Sequence, residues 1–165
     1  MRNLLDNWTG KLANPLTEFS YQRKGNILNV HFKAFNSSLY SFSDKDNDRQ
    51  YDGNVVEIFL DFGDDYYLEI EVAPNGTNFV ATILNKHITY IDSSFLKHNV
   101  IIKDNNYFVD MEIDLSRFHN LDKIKYNAFR IEVDDSKHVI LEAVSPTMCE
   151  TFHVRNKFID LLSEE

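Results

Sequence analysis

Residues 55–77 read VVEIFLDFGDDYYLEIEVAPNGT, two runs of alternating apolar and acidic residues joined by FGDD. A period of two is typical of a strand with one buried face, so the two runs predict a β-hairpin. The apolar residues that face the core are then Val56, Ile58, Leu60, Leu68, Ile70 and Val72. The opposite face carries four carboxylates, Glu57, Asp61, Glu69 and Glu71, and is either a solvated outer surface or a site for a polar ligand.

Short runs of the same period recur along the chain, separated by turn-like clusters such as APNG and DDSK. They predict an all-β fold, an antiparallel β-sandwich or jelly roll of about 9–11 strands, in one domain spanning 1–165. The one predicted helical turn is DLSRFHNL (114–121), with Asp114 as its cap. The predicted strands are 26–35, 38–43, 55–61, 66–72, 78–84, 98–103, 106–113, 127–133 and 137–144.

The charge and hydropathy of the chain restrict the classes of partner that we expect. The formal charge is −9, and the basic residues are scattered, so we expect no nucleic-acid partner. No apolar run reaches the length of a signal-peptide core or of a membrane span. We therefore expect no membrane association, and a cytoplasmic location for the chain as written or an extracellular one if a leader has been removed. Nothing in the sequence indicates an oligomeric state.

The segment SDKDNDRQYDG (43–53) is a candidate metal loop. Asp44, Asp46 and Asp48 have the alternate spacing that suits a hard cation such as calcium. The EF-hand pattern fails, because Arg49 stands in place of its glycine and Val55 in place of its final glutamate. A structural calcium ion and a plain polar loop both remain open, and no other cofactor is predicted.

The acidic face is also a candidate catalytic site. Glu57 and Asp61 lie about 13 Å apart along one strand, too far for a glycosidase pair. Glu57 with Glu69 or Glu71 across the hairpin is close enough only in some registers. Tyr51, Tyr67 and Phe152 lie in or beside predicted loops, where aromatic rings next to carboxylates favour carbohydrate.

Three segments taken in order resemble the family 9 carbohydrate-binding modules and their DOMON-like relatives, which have an immunoglobulin-like sandwich. They are YDGNVVEIFLDF (51–62), YYLEIEVAPNGT (66–77) and HVILEAVSPTMCETFHVRNKF (138–158). The resemblance implies a β-sandwich that binds sugar, often as an accessory to glycoside hydrolases, with a structural calcium ion.

The resemblance also implies roles for particular residues. Tyr51 stands where the family has its first stacking tryptophan, and Glu57 matches a position that bonds sugar hydroxyls. Phe152 or His153 is the nearest candidate for the second stacking position, and the only tryptophan, Trp8, is at neither place.

The function expected is non-catalytic binding of a mono- or oligosaccharide, accessory to its breakdown. The expected ligand-binding residues are Tyr51, Glu57, Tyr67, Glu71, Phe152 and His153. Two alternatives stay open, a glycoside hydrolase that uses the carboxylates of the sheet face and a scaffold or interaction domain that binds no sugar.

Overall fold

The computed structural model describes residues 1–162, which form two antiparallel sheets packed face to face. The first sheet has five strands in the spatial order β1 (Arg2–Asn3), β3 (Thr17–Lys24), β4 (Ile27–Ala34), β10 (Asn106–Asp114) and β9 (Leu96–Lys103). The second has the order β2 (Leu5–Asp6), β12 (Val139–Ala143), β11 (Lys125–Val133), β5 (Val55–Asp61), β6 (Tyr67–Val72), β7 (Asn78–Leu84) and β8 (His87–Tyr90), with β13 (Ile159–Asp160) paired to β11. The all-β sandwich expected from the sequence is confirmed.

The main core lies between the two sheets. The even-numbered residues of β5 and β6 point into it and are fully buried, as the alternation in 55–77 predicts. The first sheet supplies aromatic rings, and those of Phe19 and Phe32 lie 5.0 Å apart. The hairpin pattern therefore fixes which face of the second sheet meets the first.

The outer face of the second sheet is also buried, so of the two alternatives left open for this face the solvated surface is wrong. Odd-numbered residues such as Phe59, Phe79 and Phe129 form a second apolar cluster on this face. Phe152 and Phe158, from the segment between β12 and β13, cover it. The sheet therefore has apolar contacts on both faces.

Several elements differ from the expected ones. Residues 38–43 form a loop instead of the expected strand, and the Ser38 hydroxyl in it donates to the Val133 carbonyl at 2.6 Å. The pattern missed β3, whose buried face includes the polar Thr17 and Arg23, and also β8, which is exposed throughout.

Up to residue 162, helical structure is limited to three 3₁₀ turns, Gln50–Asp52, Leu115–Arg117 and Arg155–Lys157. Asp114 caps the second turn as predicted, accepting from the Ser116 backbone N–H at 2.9 Å, and the other two turns were not expected. None of the helices described for residues 1–162 has the length and hydropathy of a membrane span.

Candidate functional site

A cavity of about 730 Å³ opens on the outer face of the second sheet. Its floor is made by β5, β6, β7 and β11, and its walls by the turn between β7 and β8, the segment before β5 and the segment after β12. It is lined by Tyr51, Glu57, Tyr67, Glu69, Phe79, Ile83, Asn85, Lys86, Ile88, Ile131, Leu141, Glu150, Thr151, Phe152, His153 and Arg155. Apolar, acidic and basic groups therefore meet in one concave site.

Glu57, Glu69 and Glu71, here called the floor glutamates, form a buried group beneath this cavity. Glu57 on β5 is the direct cross-strand partner of Glu71 on β6, and Glu69 lies two residues earlier on the same face. All three residues are at most 4% exposed. Their carboxylate oxygens lie within 4.8 Å of one another. The register that the sequence left open thus brings three carboxylates together.

Burial gives the floor glutamates an unusual acid–base character. Burial is the main cause of the raised pKa of Glu69, which is about 7. Burial also raises the pKa of Glu57 well above its usual range, with the charge of Glu69 adding to it. For Glu71, burial and then the charges of Glu57 and Glu69 raise the pKa in the same direction. Without a counterion, the group therefore retains protons near neutral pH.

Tyr51 forms one wall of the cavity. It lies in the 3₁₀ turn Gln50–Asp52, is 36% exposed, and meets Phe79 edge to face with ring centroids 6.1 Å apart. Gly53 holds this turn close to the preceding loop, since a Cβ atom there would lie 2.6 Å from the Phe42 backbone nitrogen. The YDG sequence thus presents an aromatic ring to the cavity from a tightly packed loop.

The opposite wall comes from the segment between β12 and β13. Phe152 stacks on Phe129 with ring centroids 4.1 Å apart and is only 6% exposed. His153 is exposed, stacks on Phe59 at 5.2 Å, and bonds through Nδ1 to the Tyr67 hydroxyl. Desolvation of the imidazole against these rings lowers the pKa of His153. The histidine is therefore a neutral hydrogen-bonding group at the rim.

Arg155 fastens this segment to the hairpin. Its Nε donates to Asp61 Oδ2 and its Nη2 to Asp61 Oδ1, both at 2.7 Å, and it also donates to the backbone carbonyls of Asp64 and Asp65. Burial alone would raise the pKa of Asp61, but the bonds from Arg155 and the Gly63 N–H outweigh it and lower the pKa. Asp61 is therefore a structural anion.

The structure brings most of the predicted ligand-binding residues to this cavity. Tyr51, Glu57, Tyr67, Phe152 and His153 line it. Glu71 does not line it but belongs to the floor glutamates beneath. That these residues contact a ligand stays a prediction.

The predicted calcium loop, residues 43–53, makes hydrogen bonds to β7. Asp46 accepts a bond from the Asn78 backbone N–H at 2.9 Å, and Asn47 accepts from the Val80 N–H at 2.9 Å, so the loop caps β7. Within residues 1–162, the floor glutamates are the only group of three or more metal-ligating side chains gathered closely enough to hold an ion. Asp44, Asp46 and Asp48 are not gathered in this way in the described residues, and calcium binding by this loop stays a prediction.

Sequence reasoning missed several cavity residues. Lys86 and Asn85 form the turn between β7 and β8 with φ of 70° and 47°, so they lie outside any alternating run. Glu150 and Arg155 lie within the third family-like segment, each two positions from the predicted Phe152 or His153, and only that proximity could have indicated them.

Comparison with known proteins supports the fold. No protein-family model and no curated protein matches the chain. A crystal structure of a candidate carbohydrate-binding protein from Bacteroides uniformis is similar, with a TM-score of 0.75, 20% identity and coverage of 94% of this chain and 82% of that one.

Two structures of a family 9 carbohydrate-binding module from Caldicellulosiruptor kristjanssonii are also similar, each with 18% identity. The glucose complex gives a TM-score of 0.67 and covers 99% of this chain and 85% of that one. The cellotriose complex gives a TM-score of 0.59 and covers 86% of this chain and 70% of that one. The chain therefore has the β-sandwich fold of the family 9 carbohydrate-binding modules.

Proposed function

We propose that the protein binds carbohydrate non-covalently in the cavity on the outer face of its second sheet. The observation that carries this proposal is the meeting of aromatic rings, among them the partly exposed ring of Tyr51, and carboxylates in one open cavity of about 730 Å³. Its volume falls within the roughly 300–1,000 Å³ of small-molecule sites. Sugars present apolar C–H faces and hydroxyl edges, and these two surfaces match rings and carboxylates respectively.

Each wall has a distinct role in this proposal. Tyr51 offers the face of a half-exposed ring to a sugar, while Glu57 and Glu69 on the floor accept bonds from hydroxyls. Lys86 and His153 at the rim supply polar groups. Phe152 is held against Phe129 and contributes an apolar edge.

The similar structures suggest which ligands to try. The family 9 module was solved with glucose and with cellotriose, so we infer that a glucose unit or the end of a gluco-oligosaccharide is the first ligand to test here. We further infer a non-catalytic, accessory role beside enzymes that degrade such sugars.

The test is isothermal titration with glucose, cellotriose and a panel of other sugars. We expect heat with at least one sugar, and affinity about tenfold weaker in Tyr51→Ala, equivalent to ~1.4 kcal/mol of lost stacking. Tyr40→Ala is the matched control, because Tyr40 is 40% exposed and does not line the cavity. Absence of heat with every sugar would favour the interaction-domain alternative.

One observation keeps the enzyme alternative as a second candidate. Glu57 and Glu69 both line the cavity with oxygens within 4.8 Å, near the ~5–5.5 Å of a retaining glycosidase pair. Aryl glycosides would reveal this activity by colour release, and Glu57→Gln should abolish it. Binding of intact cellotriose without hydrolysis would eliminate this candidate.

A further inference from the structure

Among the residues that the structure describes, no cationic side chain is paired with the floor glutamates. On the neighbouring strands, Glu57 faces Phe129 and Glu71 faces Phe79. Within residues 1–162, no lysine, arginine or histidine forms an ion pair with any of the three, although ten such pairs exist elsewhere. Arg155, which lines the same cavity, is held by Asp61. The described part of the chain thus provides no counterion for these carboxylates.

The carboxylate of Glu71 provides a second, independent observation that points to a ligand. It is fully buried, and neither of its carboxylate oxygens accepts a hydrogen bond from any N–H or O–H of the described residues. The carboxyl groups of Glu57 and Glu69 lie beside it, and a bond between two carboxyl groups requires a proton. Buried carboxylates are normally paired or coordinated, so a side chain aimed into the group without a partner points to a ligand.

We propose that the floor glutamates bind one divalent cation of the oxygen-preferring class, with calcium as the best fit. Two oxygens that each lie ~2.3–2.6 Å from one calcium ion are at most about 5 Å apart, and the carboxylate oxygens here lie within 4.8 Å of one another. Ligands of magnesium at ~2.0–2.1 Å must lie within about 4 Å, a tighter set. Three carboxylates without nitrogen or sulfur favour a hard ion.

The site is open on one side only. Glu57 and Glu69 line the cavity, whereas Glu71 lies beneath and does not. A cation held by all three therefore lies on the cavity floor, with its remaining coordination positions directed at the cavity. Sugar hydroxyls can fill these positions, and this step alone rests on the proposed function. Carbohydrate binding would then depend on the ion.

The proposed site differs from the loop that the sequence indicated. The loop at 43–53 bonds to the start of β7 through Asp46 and Asn47. The floor glutamates come from adjacent strands, where a β-bridge fixes Glu57 opposite Glu71. The two locations can be separated by substitution.

The experiment is a calorimetric titration of calcium chloride into chelator-treated protein in the absence of sugar. We expect one ion per chain in the wild type, and loss of this binding in Glu71→Gln and in Glu69→Gln. Asp44→Asn is the matched control from the predicted loop and should keep the binding, since Asp44 is exposed. The same titration with magnesium should give weaker binding.

The outcomes distinguish the cation site from the proposed function. Absence of calcium binding in the wild type overturns the cation site, as does binding that Asp44→Asn abolishes and Glu71→Gln retains. Sugar titration is then repeated with calcium and with EDTA. Equal sugar affinity in both overturns the ion's part in sugar binding. Calcium binding without any sugar binding supports the cation site and rejects the proposed function.

Discussion

Arg130 lies inside the sandwich between two carboxylates, Glu132 and Glu142. Its Nη2 donates to Glu132 Oε2 at 2.9 Å, while its Nη1 is 4.0 Å from Glu142 Oε1. Glu142 accepts from the Thr17 hydroxyl at 2.5 Å, and its other oxygen accepts no hydrogen bond from the described residues. One buried guanidinium cannot balance two buried carboxylates, so one of them should hold a proton. Burial is the main cause that raises the pKa of Glu142 to about 7.

This proton makes the stability of the fold dependent on pH. Between about pH 4.5 and 7 the folded protein keeps a proton on Glu142 that the unfolded chain has lost, so the free energy of unfolding falls as pH rises. The full effect is about 3 kcal/mol. We expect Glu142→Gln to make the decline between pH 5 and 8 less steep, as measured by urea unfolding at several pH values.

Asp61→Asn is the control for this measurement. The pKa of Asp61 is lowered in the folded state, so its contribution to stability is lost only as pH falls through the acid range below about 4. This variant should therefore lower stability without changing the slope between pH 5 and 8. A Glu142→Gln slope equal to that of the wild type would contradict the assigned proton.

At the scale of elements, the segment between β12 and β13 determines the shape of the cavity. One end is fixed by Asn7, whose side-chain amide donates to Thr147 Oγ1 at 2.8 Å and accepts from the Thr147 N–H at 2.8 Å. The other end is fixed by the two bonds from Arg155 to Asp61. Phe152 and His153 lie between these two anchors, so their positions depend on both.

Arg155→Ala removes the second anchor. We expect the free energy of unfolding to fall by about 1–2 kcal/mol, a value reduced because the Arg155 side chain is 36% exposed. Sugar affinity should fall as well, because the wall that carries His153 is released. Urea unfolding and calorimetric titration measure the two effects.

Lys97→Ala is the matched control, since it breaks an ion pair with Glu112 on the first sheet whose lysine side chain is 81% exposed. It should change neither stability nor sugar affinity. If Arg155→Ala behaves like Lys97→Ala, the bonds from Arg155 to Asp61 do not anchor the segment.

At the scale of the whole molecule, alternation along the hairpin predicted the sandwich and the direction of its core-facing residues. It could not predict that the opposite face is buried too, because the covering residues Phe152 and Phe158 are about 90 positions away in the sequence. Whether Glu57 lies opposite Glu71 depends on the register of β5 against β6. The polar side chains do not determine this register. The sequence thus predicts faces well and predicts poorly what covers them.

The two faces of the second sheet should respond differently to substitution. Ile70→Ala empties a fully buried position between the sheets and should cost about 2–5 kcal/mol of stability. Ile88→Ala, at a cavity residue that is 46% exposed, should change stability by less than about 0.5 kcal/mol while altering sugar affinity. Chemical denaturation measures the free energy of unfolding of both variants. A similar loss of stability in Ile70→Ala and Ile88→Ala would contradict the different roles assigned to the two faces.

The strict alternation along β5 and β6 has a consequence for how such a domain can diversify. Along these strands, core residues between the sheets alternate with residues on the cavity face. The two sets lie on the same strands, but their side chains pack on opposite faces of the sheet. Ligand preference can therefore drift by exchange at odd positions such as 57 and 69 while the even positions stay constant. A library randomised only at positions 57 and 69, with the buried apolar residues of both faces kept, should yield mostly folded proteins with new specificities.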